Sequence, residues 1–279
     1  MKKSIKFTLS LIVTAVITLG SPLAIAQDTV KEQSLELLNK GLVQGDISFI
    51  KENVAEGYIQ HNPGAHDKLT GLLGFVGYLK TLDTPLSYHP KRVLREGNLV
   101  LVHSEVVLGS KLAVFDLFRI ENGLIAEHWD GIQEMPVKTV SGRSMVDGPT
   151  MIKDIDKTKE NKKIVIQFVT DVLVNGKGDK LSQYIGEVYH QHNPGIADGT
   201  KGLLDFMGSL AENKTSFGYT KIHNVVAEGN FVFTQSEGDF GGQPTAFYDL
   251  FRVDNGLIVE HWDSIQAIPS KMAHENGMF

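Results

Sequence analysis

Asp116 to Pro136 reads DLFRIENGLIAEHWDGIQEMP, and Asp249 to Pro269 reads DLFRVDNGLIVEHWDSIQAIP. Fifteen of these 21 positions are identical. Each stretch is two apolar runs joined at Asn-Gly, a dipeptide that tolerates positive φ at both positions and so marks a β-hairpin. Each also carries three proton-handling side chains: Asp116, His128 and Asp130 in the first, and Asp249, His261 and Asp263 in the second. Strands built only for stability have no need of Asp, His and Asp among apolar neighbours.

Working outward, the duplication covers nearly the whole chain. Tyr58-Ile-Gln-His-Asn-Pro-Gly64 returns as Tyr189-His-Gln-His-Asn-Pro-Gly195, 131 residues later. Glu96-Gly97-Asn98 returns as Glu228-Gly229-Asn230 at an offset of 132, and His128-Trp129-Asp130 returns at 133. The offset grows by single residues, as short loop insertions produce. A period of this length is a whole domain rather than a solenoid unit. We therefore expect two domains, residues 27–150 and 151–279, with 137–150 as linker, preceded by a leader over 1–26.

Within a copy, helical spacing comes first and strand patterns follow. Leu35, Leu38 and Leu42 fit one helix face, Ile47–Val54 a short second helix, and Leu72, Phe75, Val76 and Leu79 a third. From Ser87 onward the runs read as strands, with turns at Gly97-Asn98, Gly109-Ser110 and Asn122-Gly123. Helices followed by an antiparallel sheet predict an α+β fold.

Lys2, Lys3 and Lys6, an apolar run over Phe7–Leu19 and Ala24-Ile25-Ala26 have the order of a secretory signal peptide. The run is short for a membrane span, so an uncleaved anchor is the weaker alternative. The expectation is a periplasmic or secreted protein with no membrane association after signal removal. Lys+Arg 27 against Asp+Glu 33 gives a net charge of −6, and loss of the three leader lysines makes it −9. That balance argues against nucleic acid as a partner. The chain has no Cys, which excludes disulfides, thiol nucleophiles and Cys-based metal sites.

The turn decides which side chains meet. A three-residue turn with a bulge at Gly123 would pair Asp116 with His128 and put both on one face with Asp130. A tighter two-residue turn would shift the pairing by one and part Asp116 from His128. Arg119, Glu127 and Trp129 fall on the other face in the first arrangement. Bland readings compete: a solvated strand face for His128 and Asp130, turn chemistry for Asn62 before Pro63, and simple packing for Trp129. A metal site from His61, His103 and His128 is disfavoured, because the second copy has Gln235 in place of His103.

The Tyr-x-Gln-His-Asn-Pro motif, followed by Asp-x-Phe-Arg-x-x-x-Gly-x-Ile-x-Glu-His-Trp-Asp, resembles the SnoaL-like branch of the nuclear transport factor 2-like superfamily. The resemblance covers both copies, nearly all of residues 30–270. It implies two tandem cones, each with helices capping a strongly bent antiparallel sheet around a pocket. It also implies polyketide cyclase-like aldol chemistry, or the isomerisation and dehydration carried out on the same cone, by proton transfer without metal or organic cofactor. Carried over, the acid/base candidates are Asp130, His128, Asp116 and His61, and in the second copy Asp263, His261, Asp249 and His192. Tyr58, Gln60, Asn62 and His103, with Tyr189, Gln191, Asn193 and Gln235, are expected to line the pockets. The ligand would be a small apolar or carbonyl-containing molecule. The alternatives are a non-catalytic binding module and a structural role through the outer sheet face. Cones of this superfamily commonly pair through that face. Here Phe115, Leu117 and Trp129 would meet Tyr248, Leu250 and Trp262, as an intramolecular pseudo-dimer in a chain that is often monomeric.

Overall fold

The computed structural model describes residues 22–279. The leader expectation rests mostly on residues 1–21, which lie outside the described residues. Among the described residues no helix is long and apolar enough to cross a membrane.

Each half has the same element order. In the first, α1 (Pro22–Glu36) runs on through a π-helical turn to Val43, followed by α2 (Ile47–Asn53), β1 (Val54–Gln60), α3 (Lys68–Leu79), β2 (Ser87–Glu96), β3 (Leu99–Leu108), β4 (Ser110–Glu121) and β5 (Leu124–Glu134). The second repeats this as α4 (Thr158–Phe168), α5 (Leu181–Tyr184), β6 (Ile185–Gln191), α6 (Gly199–Glu212), β7 (Phe217–Glu228), β8 (Phe231–Phe240), β9 (Gln243–Asp254) and β10 (Leu257–Ala267). Gly45 at φ 68° ends the first helical run, and Asp46 caps α2 by accepting from Phe49 N at 3.0 Å.

The sheets have the orders β1-β5-β4-β3-β2 and β6-β10-β9-β8-β7. The α+β expectation holds, with one difference: β1 and β6 run parallel to β5 and β10, so each sheet is mixed. These strands carry the Tyr-x-Gln part of the repeated motif, a segment that sequence patterning left unassigned between a helix and a turn. Its parallel pairing is made with a strand some 70 residues away, and no local pattern records it.

Alternation along the strands separates two faces. Val102, Asp116 and Asp130 lie side by side on the concave face; His103 and Phe115, and Leu117 and Trp129, lie on the convex face. The helices cover the concave side, where Leu37, Leu38, Ile50, Leu72 and Val76 pack on Val100, Val102 and Phe118.

The two convex faces cover each other. Phe115, Leu117 and Trp129 from one sheet and Phe233, Tyr248, Leu250 and Trp262 from the other form a single buried apolar cluster. The polar contacts are reciprocal, as a pseudo-twofold axis requires. Ile132 N donates to Gln266 Oε1 at 3.1 Å and Ile265 N to Gln133 Oε1 at 2.9 Å. Arg95 N donates to Glu228 Oε2 at 2.7 Å and Ala227 N to Glu96 Oε2 at 2.9 Å. Lys31 pairs with Glu228 and Lys162 with Glu96, both at 2.7 Å.

Residues 137–150 are not a bare tether. They form a strap from the first cone across the second, with Met145 and Val146 buried and Val140 N donating to Pro194 O at 3.0 Å. The C-terminal residues make the reciprocal crossing, Ala273 N donating to Pro63 O at 2.9 Å. Each cone thus lends its tail to the other.

Candidate active site

The hairpin turn settles the first open question by a route outside both expectations. Asn122 and Gly123 sit at φ 52° and 79° between paired Glu121 and Leu124, so the turn has two residues. Ile120 then pairs with Ile125 but Arg119 with Glu127, which leaves Ala126 as a bulge. A regular two-residue hairpin would have turned His128 to the convex side. The extra residue restores the parity, and Asp116 faces Asp130 while Phe118 faces His128. Val259 is the corresponding bulge in the second cone, where Ile258 pairs with Val253 but Glu260 with Arg252.

The result is a buried row of three groups. His128 Nε2 lies 3.0 Å from Asp116 Oδ1, and His128 Nδ1 donates to Gln60 Oε1 at 3.1 Å. Gln60 Oε1 also accepts from the backbone N of His61 and Asn62 at 2.9 and 2.8 Å. That fixes the amide's orientation and hence a protonated Nδ1 on His128. Asn62 Nδ2 donates to both oxygens of Asp130, at 2.9 and 2.7 Å. The second cone repeats the row: His261 bonds Asp249 Oδ1 and Gln191 Oε1, each at 3.0 Å, and Asn193 bonds Asp263 at 2.7 Å.

Burial raises the pKa of Asp130 and Asp116, against the opposing pull of His128. Burial works to lower that of His128, but its hydrogen bond to Asp116 and the two neighbouring carboxylates raise it overall. Asp263 is pushed up by burial to about 6, with His261 opposing. Asp116, His128 and Asp130, and in the second cone His261 and Asp263, therefore hold protons to higher pH than the same groups do in water. Since folded Asp263 binds its proton more tightly than the unfolded chain does, its contribution to stability falls as pH rises from about 4 through about 6. Asp263→Asn, which cannot ionise, should gain on the wild type across that window. Urea unfolding at pH 4 and pH 7 measures this, and an unchanged stability difference would contradict it.

Several expected site residues lie elsewhere. His61 follows Gln60 on β1's course and so points to the opposite side. Its Nε2 meets Glu127 at 2.8 Å, its Nδ1 donates to Gly277 O at 2.9 Å, and its ring stacks on Trp129 at 4.9 Å. His192 sits likewise on Glu260 at 3.0 Å and Trp262 at 4.6 Å. Neither is among the residues lining its cone's cavity, which corrects their assignment to the pockets. Burial opposes ionisation of Glu127, but hydrogen bonds from His61 and Arg119 hold its pKa below the usual range. His103 and Gln235 are also corrected. They alternate with Val102 and Thr234, so they face the other cone: His103 bonds Arg92 Nη1 at 3.1 Å, and Gln235 bonds Tyr248 OH at 2.9 Å. Tyr58, Gln60 and Asn62, and Tyr189, Gln191 and Asn193, do line the cones.

The cones differ in what they enclose. The first holds a cavity of about 270 Å³ with the Asp116–His128–Asp130 row in its wall. In the second only about 40 Å³ remains, room for water at most. Matching positions explain this. Leu37, Ala65, Leu86 and Val114 around the first cavity correspond to Phe168, Ile196, Phe217 and Phe247. Phe217 meets Phe247 edge-to-face at 5.9 Å, and Phe247 stacks on Tyr219 at 4.1 Å. The hydroxyl of Tyr219 donates to Asp249, 3.1 Å from each oxygen. Its counterpart Tyr88 lines the first cavity, where Asp116 Oδ2 has no hydrogen-bond partner among the described residues. Two small-molecule pockets were expected; one is open and one is largely filled. The Leu-to-Phe pairs were available to a comparison of the repeats, and they are the signal that reading missed.

Asp116, His128 and Asp130 offer ligand atoms within 4.8 Å of one another, as do Asp249, His261 and Asp263, close enough to converge on one cation. In both rows the imidazole nitrogens are already hydrogen-bonded within the protein.

A model of the SnoaL-like domain matches residues 34–128 and again 165–261. No curated protein matches the chain. Among solved structures, TsrD from Streptomyces laurentii is 20% identical with a TM-score of 0.32, over 40% of this chain and 90% of its own. IdmH from Streptomyces antibioticus, described as a proposed polyketide cyclase, is 18% identical with a TM-score of 0.34, over 37% and 91%. A nuclear transport factor 2-like protein of unknown function from Mesorhizobium loti is 18% identical with a TM-score of 0.34, over 40% and 95%. With the family's model matched twice, over most of both cones, this chain belongs to the SnoaL-like domain family as a tandem pair of its domains.

Proposed function

We propose that the first cone is a cofactor-independent acid/base site for a small carbonyl-containing molecule, and that the second is a closed copy. One observation carries this: a buried carboxyl–imidazole–carboxyl row in the wall of a cavity of about 270 Å³ that is otherwise lined largely by apolar side chains. Burial raises the pKa of Asp130, and a base with a raised pKa can take a proton from carbon next to a carbonyl. The Asp116–His128 pair carries a proton that can stabilise the enolate oxygen. Aldol closure, double-bond migration and dehydration all begin at that enolate. The test is deuterium incorporation next to the carbonyl, followed by NMR in D2O over a panel of ketones and diketones. Exchange that depends on Asp130 is expected; none above the buffer rate would overturn the catalytic reading.

A second reading is a binding module for an apolar molecule. It is favoured by the second cone, which keeps the whole polar row although phenylalanines fill its cavity, so the row persists without room for a substrate. In either reading the chain takes one ligand, not two. Replacing Phe168, Phe217 and Phe247 by the first cone's Leu, Leu and Val should open the second cavity. Native mass spectrometry with a fluorescent phenol such as 2-naphthol should then show occupancy rising from one to two per chain. Two bound molecules in the wild type would refute the closed-copy assignment.

The mutual burial of the convex faces supports a chain that is monomeric in solution, which light scattering would check. The order of basic, apolar and Ala-x-Ala residues over 1–26 supports export, and an intact Met1 on protein from the native host would count against it.

A further inference from the structure

The first cone's site loop is held by the other domain. Gln60 and Asn62 orient the reactive row, one through His128 and the other through Asp130. The C-terminal tail of the second cone makes a hydrogen bond to each of the four consecutive residues that contain them. Asn276 Nδ2 donates to Gln60 O at 3.0 Å and Gly277 O accepts from the His61 ring at 2.9 Å. His274 Nε2 donates to Asn62 O and Ala273 N to Pro63 O, both at 2.9 Å. The tail is anchored at both ends on its own domain. Ile268 N donates to Pro244 O at 2.8 Å; Met278 O accepts from Gln235 at 3.1 Å, and Phe279 stacks on His223 at 4.1 Å.

The reciprocal strap makes a different set of contacts, among them Asp147 Oδ1 to the His192 ring at 2.9 Å. It bonds His192 through Ser144 O and Pro194 through Val140 N. Arg143, which corresponds to Asn276, turns instead to Asp198, and Ser141 replaces His274. The two additional bonds, to the backbone of the residues that orient the row, occur only on the cone with the open cavity.

We infer that residues 273–277 are a positioning element of the first cone's site, so that the filled second cone serves the open one by setting its loop. The functional weight of this rests on the acid/base reading above, but the positioning itself does not. A chain held at both ends on one domain and bonded in its middle to a loop of the other restricts that loop in every direction in which the two bodies can shift. The His128–Gln60 and Asn62–Asp130 bonds then keep one geometry.

The experiment compares the wild-type full chain with His274→Ala/Asn276→Asp, in which the second change keeps volume but sets an acceptor against Gln60 O. The readout is the imidazole Nδ1–H of His128 in ¹H–¹⁵N spectra, with His261 as internal control, since its partner Gln191 is not touched by the tail. We expect exchange of the His128 proton with water to rise about tenfold, as loss of two supporting hydrogen bonds allows, with His261 unchanged. His274→Gln, which keeps a donor toward Asn62 O, should restore half or more of the protection when paired with Asn276. An unchanged His128 proton in a variant whose His261 signal shows it folded would overturn the inference. If both signals are lost, Asn276→Asp alone is read by the same criterion. Because no substrate is involved, a failure to find turnover would overturn the functional reading and leave this result standing.

Discussion

Replacing Trp262 by Ala should unfold both cones at a markedly lower temperature. Trp262 is fully buried between the domains. Its indole N–H donates to Asp147 O at 2.9 Å, His192 stacks on one side, and the Arg92 guanidinium lies 4.0 Å from the ring centre. Truncating a buried Trp to Ala costs about 3–5 kcal/mol. The larger value is expected here, because Arg92 is itself buried and burial already lowers its pKa to about 10. Removing the aromatic face leaves a charge with less to offset its desolvation. For a chain of this size that is a fall in Tm of about 10 °C. Because the lost contacts belong to both sheets, calorimetry should show one transition shifting as a unit. A change under 2 °C, or a second domain that melts where it did before, would mean that the convex faces are not mutually dependent.

Asp130→Asn should lower any proton-abstraction rate by about 10²–10⁴-fold, the usual contribution of a positioned general base. The substitution keeps the volume and one oxygen for Asn62, so affinity for a bound phenol should change far less than rate. The same change at Asp263 should leave turnover within error, since that row faces a filled cavity. The pair of variants divides the readings. Equal losses would show that both cones work, and full activity of Asp130→Asn would remove this carboxylate as the base. Retained binding with no turnover in the wild type would leave the binding module.

Much of this was legible in the residues. The offsets of 131 to 133 established two domains of one topology. Strand alternation placed Phe115, Leu117 and Trp129 on the face opposite Asp116. Other features depended on single residues whose effect is not local. The bulges at Ala126 and Val259 occupy positions that sequence does not distinguish from their neighbours, yet each decides which face a histidine takes. His61 and His103 looked like site residues because of their chemistry. Their neighbours in the fold, Glu127 for one and Arg92 for the other, come from strands that pairing alone brings near.

By itself the sequence determined the duplication, the α+β class, the apolar faces and the presence of an Asp, a His and a second Asp in each hairpin. These follow from short-range rules: repeat identity, periods of 2 and 3.6, and the φ preference of Asn-Gly. Only the tertiary structure decided that the three side chains of each row meet on one face, that the row lines a cavity of about 270 Å³ in one cone and only about 40 Å³ in the other, and that each tail crosses to the opposite domain. Cavity volume is the small difference between an enclosed space and the side chains filling it, so four positions such as Leu37/Phe168 and Val114/Phe247 reverse it without disturbing any pattern. The tail crossing is set by contacts between residues more than 200 positions apart, Gln60 with Asn276 and Asn62 with His274, and no local preference along the chain encodes such a pairing.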